Sequence, residues 1–94
     1  MKATVWRGGT YGIRVGRANA RRYFQRDWNS IVLEIDGIEH TFPLTATFWT
    51  TCPEFRGKAI AQWLQQQGLV PWLKGHPPEV VLEPLGDNRF RLSS

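Results

Sequence analysis

The chain has 94 residues, 12 Lys plus Arg against 8 Asp plus Glu, a net charge of +4 and 41% hydrophobic residues. That length holds one domain, residues 1–94; the composition is that of a folded protein, and the one cysteine, Cys52, has no internal disulfide partner. No stretch approaches the ~20 apolar residues of a membrane span, and MKATVWRGG lacks the apolar run of a signal peptide, so a cytoplasmic location and no membrane partner are expected.

In chain order, KATVW (2–6) reads as a short strand broken by Gly8-Gly9. YGIRVG (11–16) alternates Tyr11, Ile13 and Val15 with Gly12, Arg14 and Gly16, the period-two pattern of a half-buried strand with Arg14 on its outer face. Asn19 is expected to cap a short helical turn at 20–24. In SIVLEIDGIEHTFPL (30–44), Ile31, Leu33 and Ile35 alternate with Val32, Glu34 and Asp36. Asp36-Gly37 then predicts a two-residue type I′ turn, and the return strand through Ile38, His40 and Phe42 stops at Pro43. TATFWTT (45–51), rich in threonine and aromatics, predicts a further strand.

CPEFRGKAIAQWLQQQG (52–68) carries the one long helical pattern, a main helix over about 53–67. Pro53 suits the first helical position, Glu54 complements the dipole, and Phe55, Ala59, Ile60, Trp63 and Leu64 make one apolar stripe. Gly68 is its expected stop, and Gly57 within it suggests close packing. Pro71, Pro77 and Pro78 mark an irregular connector, and EVVLEPL (79–85) and RFRL (89–92) form a closing hairpin. The predicted class is α+β, mostly β: six or seven short, mainly antiparallel strands in an open or closed barrel-like sheet, with one main helix and one helical turn.

The charge is segregated. Residues 1–26 hold Lys2, Arg7, Arg14, Arg17, Arg21, Arg22 and Arg26 with no acid, whereas residues 27–55 hold Asp27, Glu34, Asp36, Glu39 and Glu54 with no Lys or Arg. Such asymmetry points to a polyanionic partner, and arginine is the residue for bidentate contacts to phosphate and guanine.

Enzymatic signatures are weak. His40 and His76 have no ligand spacing, and one cysteine makes no zinc framework, so no metal or cofactor is expected. Cys52 precedes a predicted helix, where a thiol can be activated, but nothing in the spacing supplies a base. Glu34, Asp36 and Glu39 imitate an acidic metal cluster, yet no lysine lies between positions 3 and 57; they read as solvent-facing hairpin charges.

Two main readings compete for the basic block. In one, Arg14, Arg17, Arg21, Arg22 and Arg26, together with Arg7, form a phosphate-binding rim for a nucleic acid, with Tyr11 and Asn19 adding hydrogen bonds. In the other they are a solvated face paired with the acidic hairpin, through surface ion pairs worth about 0–1 kcal/mol each. Tyr23, Phe24 and Trp28 are read as core rather than stacking platform, with Phe24 and Trp28 anchoring the turn while the arginines face out.

The pattern GIRVGRANARRYFQRDW, then VLEIDGIEHTF, then WLQQQGL and NRFRL resembles the DNA-binding pseudobarrel of plant auxin-response factors, also used as the recognition domain of some bacterial restriction enzymes. The resemblance spans nearly the whole chain through short motifs. It departs where Gly75 is followed by His76-Pro77-Pro78, a place where that family usually shows Gly-Asp. It implies a small open barrel that grips duplex DNA between two arms: Arg14, Arg17 and Asn19 on the first, and Thr45, Thr47 and Trp49 on the second.

The expectation is a non-enzymatic domain binding duplex DNA, with RNA or single-stranded DNA as variants. One of Arg14 or Arg17 would reach a guanine edge. The alternative is a small protein-interaction adaptor or inhibitor with no nucleic-acid affinity, using the acidic hairpin or Trp72.

Overall fold

The structure, a computed structural model, describes residues 1–94. Seven strands and three helices follow the chain as β1 (Lys2–Gly8), β2 (Thr10–Arg14), α1 (Arg17–Tyr23), β3 (Ser30–Ile35), β4 (Ile38–Pro43), α2 (Ala46–Thr50), β5 (Glu54–Arg56), α3 (Lys58–Gln66), β6 (Glu79–Gly86) and β7 (Arg89–Ser93). They form one sheet in the order β4-β3-β7-β6-β1-β2-β5. All pairings are antiparallel except β3 with β7. The two edge strands curl towards each other without pairing. Phe42 of β4 and Phe55 of β5 lie with ring centroids 5.9 Å apart, which makes the sheet a nearly closed barrel. The fold is therefore α+β and mostly β, a small pseudobarrel.

Alternation builds the core. Ile31, Leu33 and Ile35 of β3 all point inward, and they meet Ala3 and Val5 of β1, Ile13 of β2, Val80 and Leu82 of β6, and Phe90 and Leu92 of β7. The β3–β4 hairpin turns on Asp36 (φ 51°) and Gly37 (φ 80°), as a type I′ turn requires. Helix α3 adds Ile60, Trp63 and Leu64 to the core. It ends in a Schellman motif, with Leu69 N–H donating to Leu64 O and Gly68 N–H to Gln65 O.

Four sequence-based expectations are corrected. First, TATFWTT is not a strand. It is mostly the short helix α2, which turns Phe48 into the core and leaves Thr47 and Thr50 exposed. Threonine's strand preference reflects packing on a sheet surface, and Phe48 finds its partner in Phe24 instead, at 5.1 Å between ring centroids. Thr50 Oγ also donates back to Ala46 O, the bond to the carbonyl four residues earlier that helical backbone opens to a threonine hydroxyl. Second, the main helix does not run over 53–67. Its expected first turn is strand β5, whose Phe55 pairs with Ile13 of β2. Without β5, the outer edge of β2 would lack backbone partners.

Third, Gly57 is not inside the helix but precedes it. A Cβ there would sit 2.6 Å from the Phe42 ring, so a close approach does hold this glycine in place. Fourth, the turn expected at 20–24 is a helix over 17–23 with Gly16 at its N-cap, and Asn19 lies inside it rather than capping it.

Candidate nucleic-acid interface

Helix α1 forms from good helix formers, alanine and arginine, and is fastened by Ala20 within it and by Phe24 at its C-cap. Ala20 and Phe24 are buried, and Phe24 stacks on Phe90 with centroids 5.0 Å apart and planes 19° apart. Trp28 meets both rings edge-on at 6.0 and 6.3 Å. Arg17 and Arg21 are four residues apart and so share the helix face next to this anchor. They overhang a cleft of about 250 Å³ between α1 and α2. Arg26, Trp49 and Thr50 line its rim, and Phe24 and Phe48 its floor. The Arg26 guanidinium lies over Trp49, 5.4 Å from the ring centroid, a cation–π contact that orders both groups.

The acidic hairpin does not neutralise these arginines. Glu34 and Glu39 face each other across the β3–β4 pair, an unfavourable arrangement for like charges. The parallel β3–β7 pairing relieves it. Arg91 sits opposite Glu34 and bonds it at 3.0 Å while also reaching Glu83, and Arg89 bonds Glu39. The only other ion pair is Arg14 with Glu54, at 3.0 Å. Arg7, Arg17, Arg21, Arg22 and Arg26 thus have no carboxylate partner.

A second cleft, of about 570 Å³, adjoins the first across α2. Thr45, Thr47 and Thr51 line one wall, and Trp6, Glu54 and Arg56 the other. The Thr45 and Thr47 hydroxyls are bonded to each other at 2.6 Å. Trp6 lies on the outer face of the sheet over Gly12, its partner across the β1–β2 pair. A Cβ at Gly12 would come within 2.7 Å of Trp6 Nε1 and 2.8 Å of the Phe55 carbonyl, so only glycine lets the indole lie flat there. Arg14 and Arg56 flank that indole, with guanidinium carbons 5.5 and 5.6 Å from the ring centroid.

The sequence-predicted residues therefore separate into groups. Arg17, Arg21 and Trp49 come together at the first cleft, and Thr47 and Arg14 belong to the adjoining surface. Arg22 lies about 140° around the helix from Arg17, over the ring of Tyr23. Arg7 is on the opposite sheet face from Trp6 and Arg14, over Tyr11 in a shallow recess with Pro71 and Trp72. Asn19 is committed to the fold. Its side-chain amide donates to Lys2 O at 2.9 Å and Val15 O at 3.0 Å, tying α1 to β1. Asn19→Ala is expected to lower unfolding stability by about 1–3 kcal/mol in a urea melt.

Sequence reasoning placed Arg26 in the basic rim but missed Trp6, Glu54 and Arg56. Nothing local marks those three; the β1–β2–β5 register assembles them. Cys52 is half-buried beside the second cleft. Compared with known proteins, the chain matches no family model, no curated protein and no solved structure, so a functional reading rests on these side chains.

Proposed function

We propose that the domain is a non-enzymatic, cytoplasmic binder of duplex DNA, acting as a recognition subunit or small regulator. One observation carries the reading: Arg17, Arg21 and Arg26 converge on one cleft, and no carboxylate meets them. Exposed guanidinium groups carried by a short helix and the turn after it make a site for phosphate oxygens, and releasing counterions from those phosphates supplies affinity. The resemblance to the DNA-binding pseudobarrel is compatible with this reading, since Arg17 from the segment of its first arm and Trp49 from that of its second line the same cleft.

Duplex is favoured over single strands. Stacking of unpaired bases needs free aromatic faces, whereas Tyr11 packs on Trp72, Trp28 on Phe24 and Phe90, and Tyr23 lies half-buried against the core under the Arg22 guanidinium. The adaptor reading rests on the acidic hairpin or Trp72, but Glu34 and Glu39 are paired with Arg91 and Arg89, Trp72 packs on Tyr11, and the exposed Leu73 and Ile38 lie on separate elements, where single apolar residues do not make a docking patch. Fluorescence anisotropy with a duplex over ~50 to ~200 mM salt tests the proposal. Affinity is expected to fall steeply and linearly in the logarithm of salt concentration. An absence of binding at the lowest salt would remove the reading and favour a protein partner.

A further inference from the structure

We infer that Arg14 is the residue that reads sequence, a guanidinium aimed at a guanine edge by Glu54 and Trp6. The inference rests on the duplex-DNA reading and assigns a task within it. Arg14 ends β2 directly opposite Glu54 of β5. Its Nε donates to Glu54 Oε2 at 3.1 Å and its Nη2 lies 3.0 Å from the same oxygen. The carboxylate therefore takes the side edge of the guanidinium. The end edge, with one N–H on Nη1 and one on Nη2, makes no hydrogen bond within the protein. Those two parallel donors match the O6 and N7 acceptors that guanine presents in the major groove.

The third dimension is set by Trp6. The Arg14 guanidinium lies 5.5 Å from the indole centroid, and the indole is seated over Gly12, where no other residue fits. Edge and face are both constrained before any ligand arrives, which reduces the entropy lost on binding. The Glu54 side chain is only 18% exposed, against 51% for Arg14, so the acid sits beneath the base rather than in front of it.

Charge separates this role from that of the α1 arginines. Arg14 with Glu54 is a neutral unit and adds little to counterion release. Arg17, Arg21 and Arg26 carry uncompensated charge but no carboxylate to aim them. Phosphate contacts need charge and carry no sequence information; base contacts need direction. The neutral, aimed pair suits the second task.

The test is selection of bound sequences from a duplex pool with a randomised centre. The wild type is expected to enrich guanine at one position. Arg14→Lys keeps the charge and removes the fork, so that enrichment should fall about tenfold or more. Glu54→Ala should lower the same enrichment while raising affinity for unselected duplex, because an anion has left the rim. An ion pair with only a structural role would instead lower the melting temperature and leave the enrichment unchanged, and that result would overturn the inference. If Arg14→Lys does not fold, Glu54→Ala and Trp6→Phe carry the same readout. Wild-type binding without any guanine preference would overturn the assignment of Arg14 while sparing the DNA reading. No binding to the pool at all would remove both, and is seen before any variant is made.

Discussion

Replacing Arg17, Arg21 and Arg26 together with glutamine is expected to lower affinity for duplex DNA at least ~100-fold at moderate salt. It should also flatten the salt dependence by roughly 2.7 in the slope of log affinity against log salt, the contribution of three phosphates at about 0.9 each. Glutamine keeps most of the side-chain stem that covers the floor of Phe24 and Phe48, and none of the three arginines has an ion pair to lose. The fold should therefore survive, with a melting temperature close to the wild type's. Arg22→Gln, on the far side of α1, should change affinity less, and Arg7→Gln least, since Arg7 sits in a different recess. Anisotropy on the triple and single variants gives all of these values. Equal effects at all five positions would indicate diffuse attraction rather than a rim.

Phe24→Ala should have the largest effect on stability. Phe24 is 5% exposed and touches three aromatic partners: Phe48 of α2, Phe90 of β7 and Trp28 of the following turn. Removing a buried ring costs about 3–5 kcal/mol, from a total that in small domains is about 5–15 kcal/mol. A domain of this size then loses more than ~10 °C of melting temperature, readable by tryptophan fluorescence. The consequence for the site is direct, because Phe24 is the link that holds α1 against α2. At temperatures where the variant is still folded, the cleft should open first, and DNA affinity should fall before the global melt. A variant that melts early yet binds normally until it melts would show that α1 is placed by something other than this ring.

Much of the barrel was legible because its signals are local. Asp36-Gly37 announces its turn, Ile31, Leu33 and Ile35 announce their face, and Gly68 announces the end of α3. The misreadings came from segments whose conformation is chosen by distant partners. Phe48 takes a helix because Phe24 and the barrel core offer it a seat, and Glu54–Arg56 takes a strand because β2 has an open edge. The parallel β3–β7 pairing carries no local mark, yet it draws the hairpin carboxylates onto Arg89 and Arg91.

The site was legible to the same extent. The acid-free basic run drew attention to Arg17 and Arg21. Helix phase, which the run does not reveal, turned Arg22 away and brought Arg26 in through the turn that follows. Asn19 read as a helix cap and a contact to DNA, but its amide is committed to two backbone carbonyls. The Trp6–Arg14–Glu54 arrangement was out of reach, because it joins three strands that are neighbours only once the sheet is formed.

The central claim is that uncompensated guanidinium groups beside α1 and α2 meet duplex DNA. The most direct measurement is an NMR titration of the labelled domain with a duplex, following backbone amides and arginine side-chain Nε–H groups. Perturbations are expected at Arg17, Arg21, Arg26, Trp49 and the Arg14 side chain, with little change in the β3–β4 turn or the loop at 67–78. Shifts concentrated in that turn or loop, or none at DNA concentrations well above the protein's, would contradict the account.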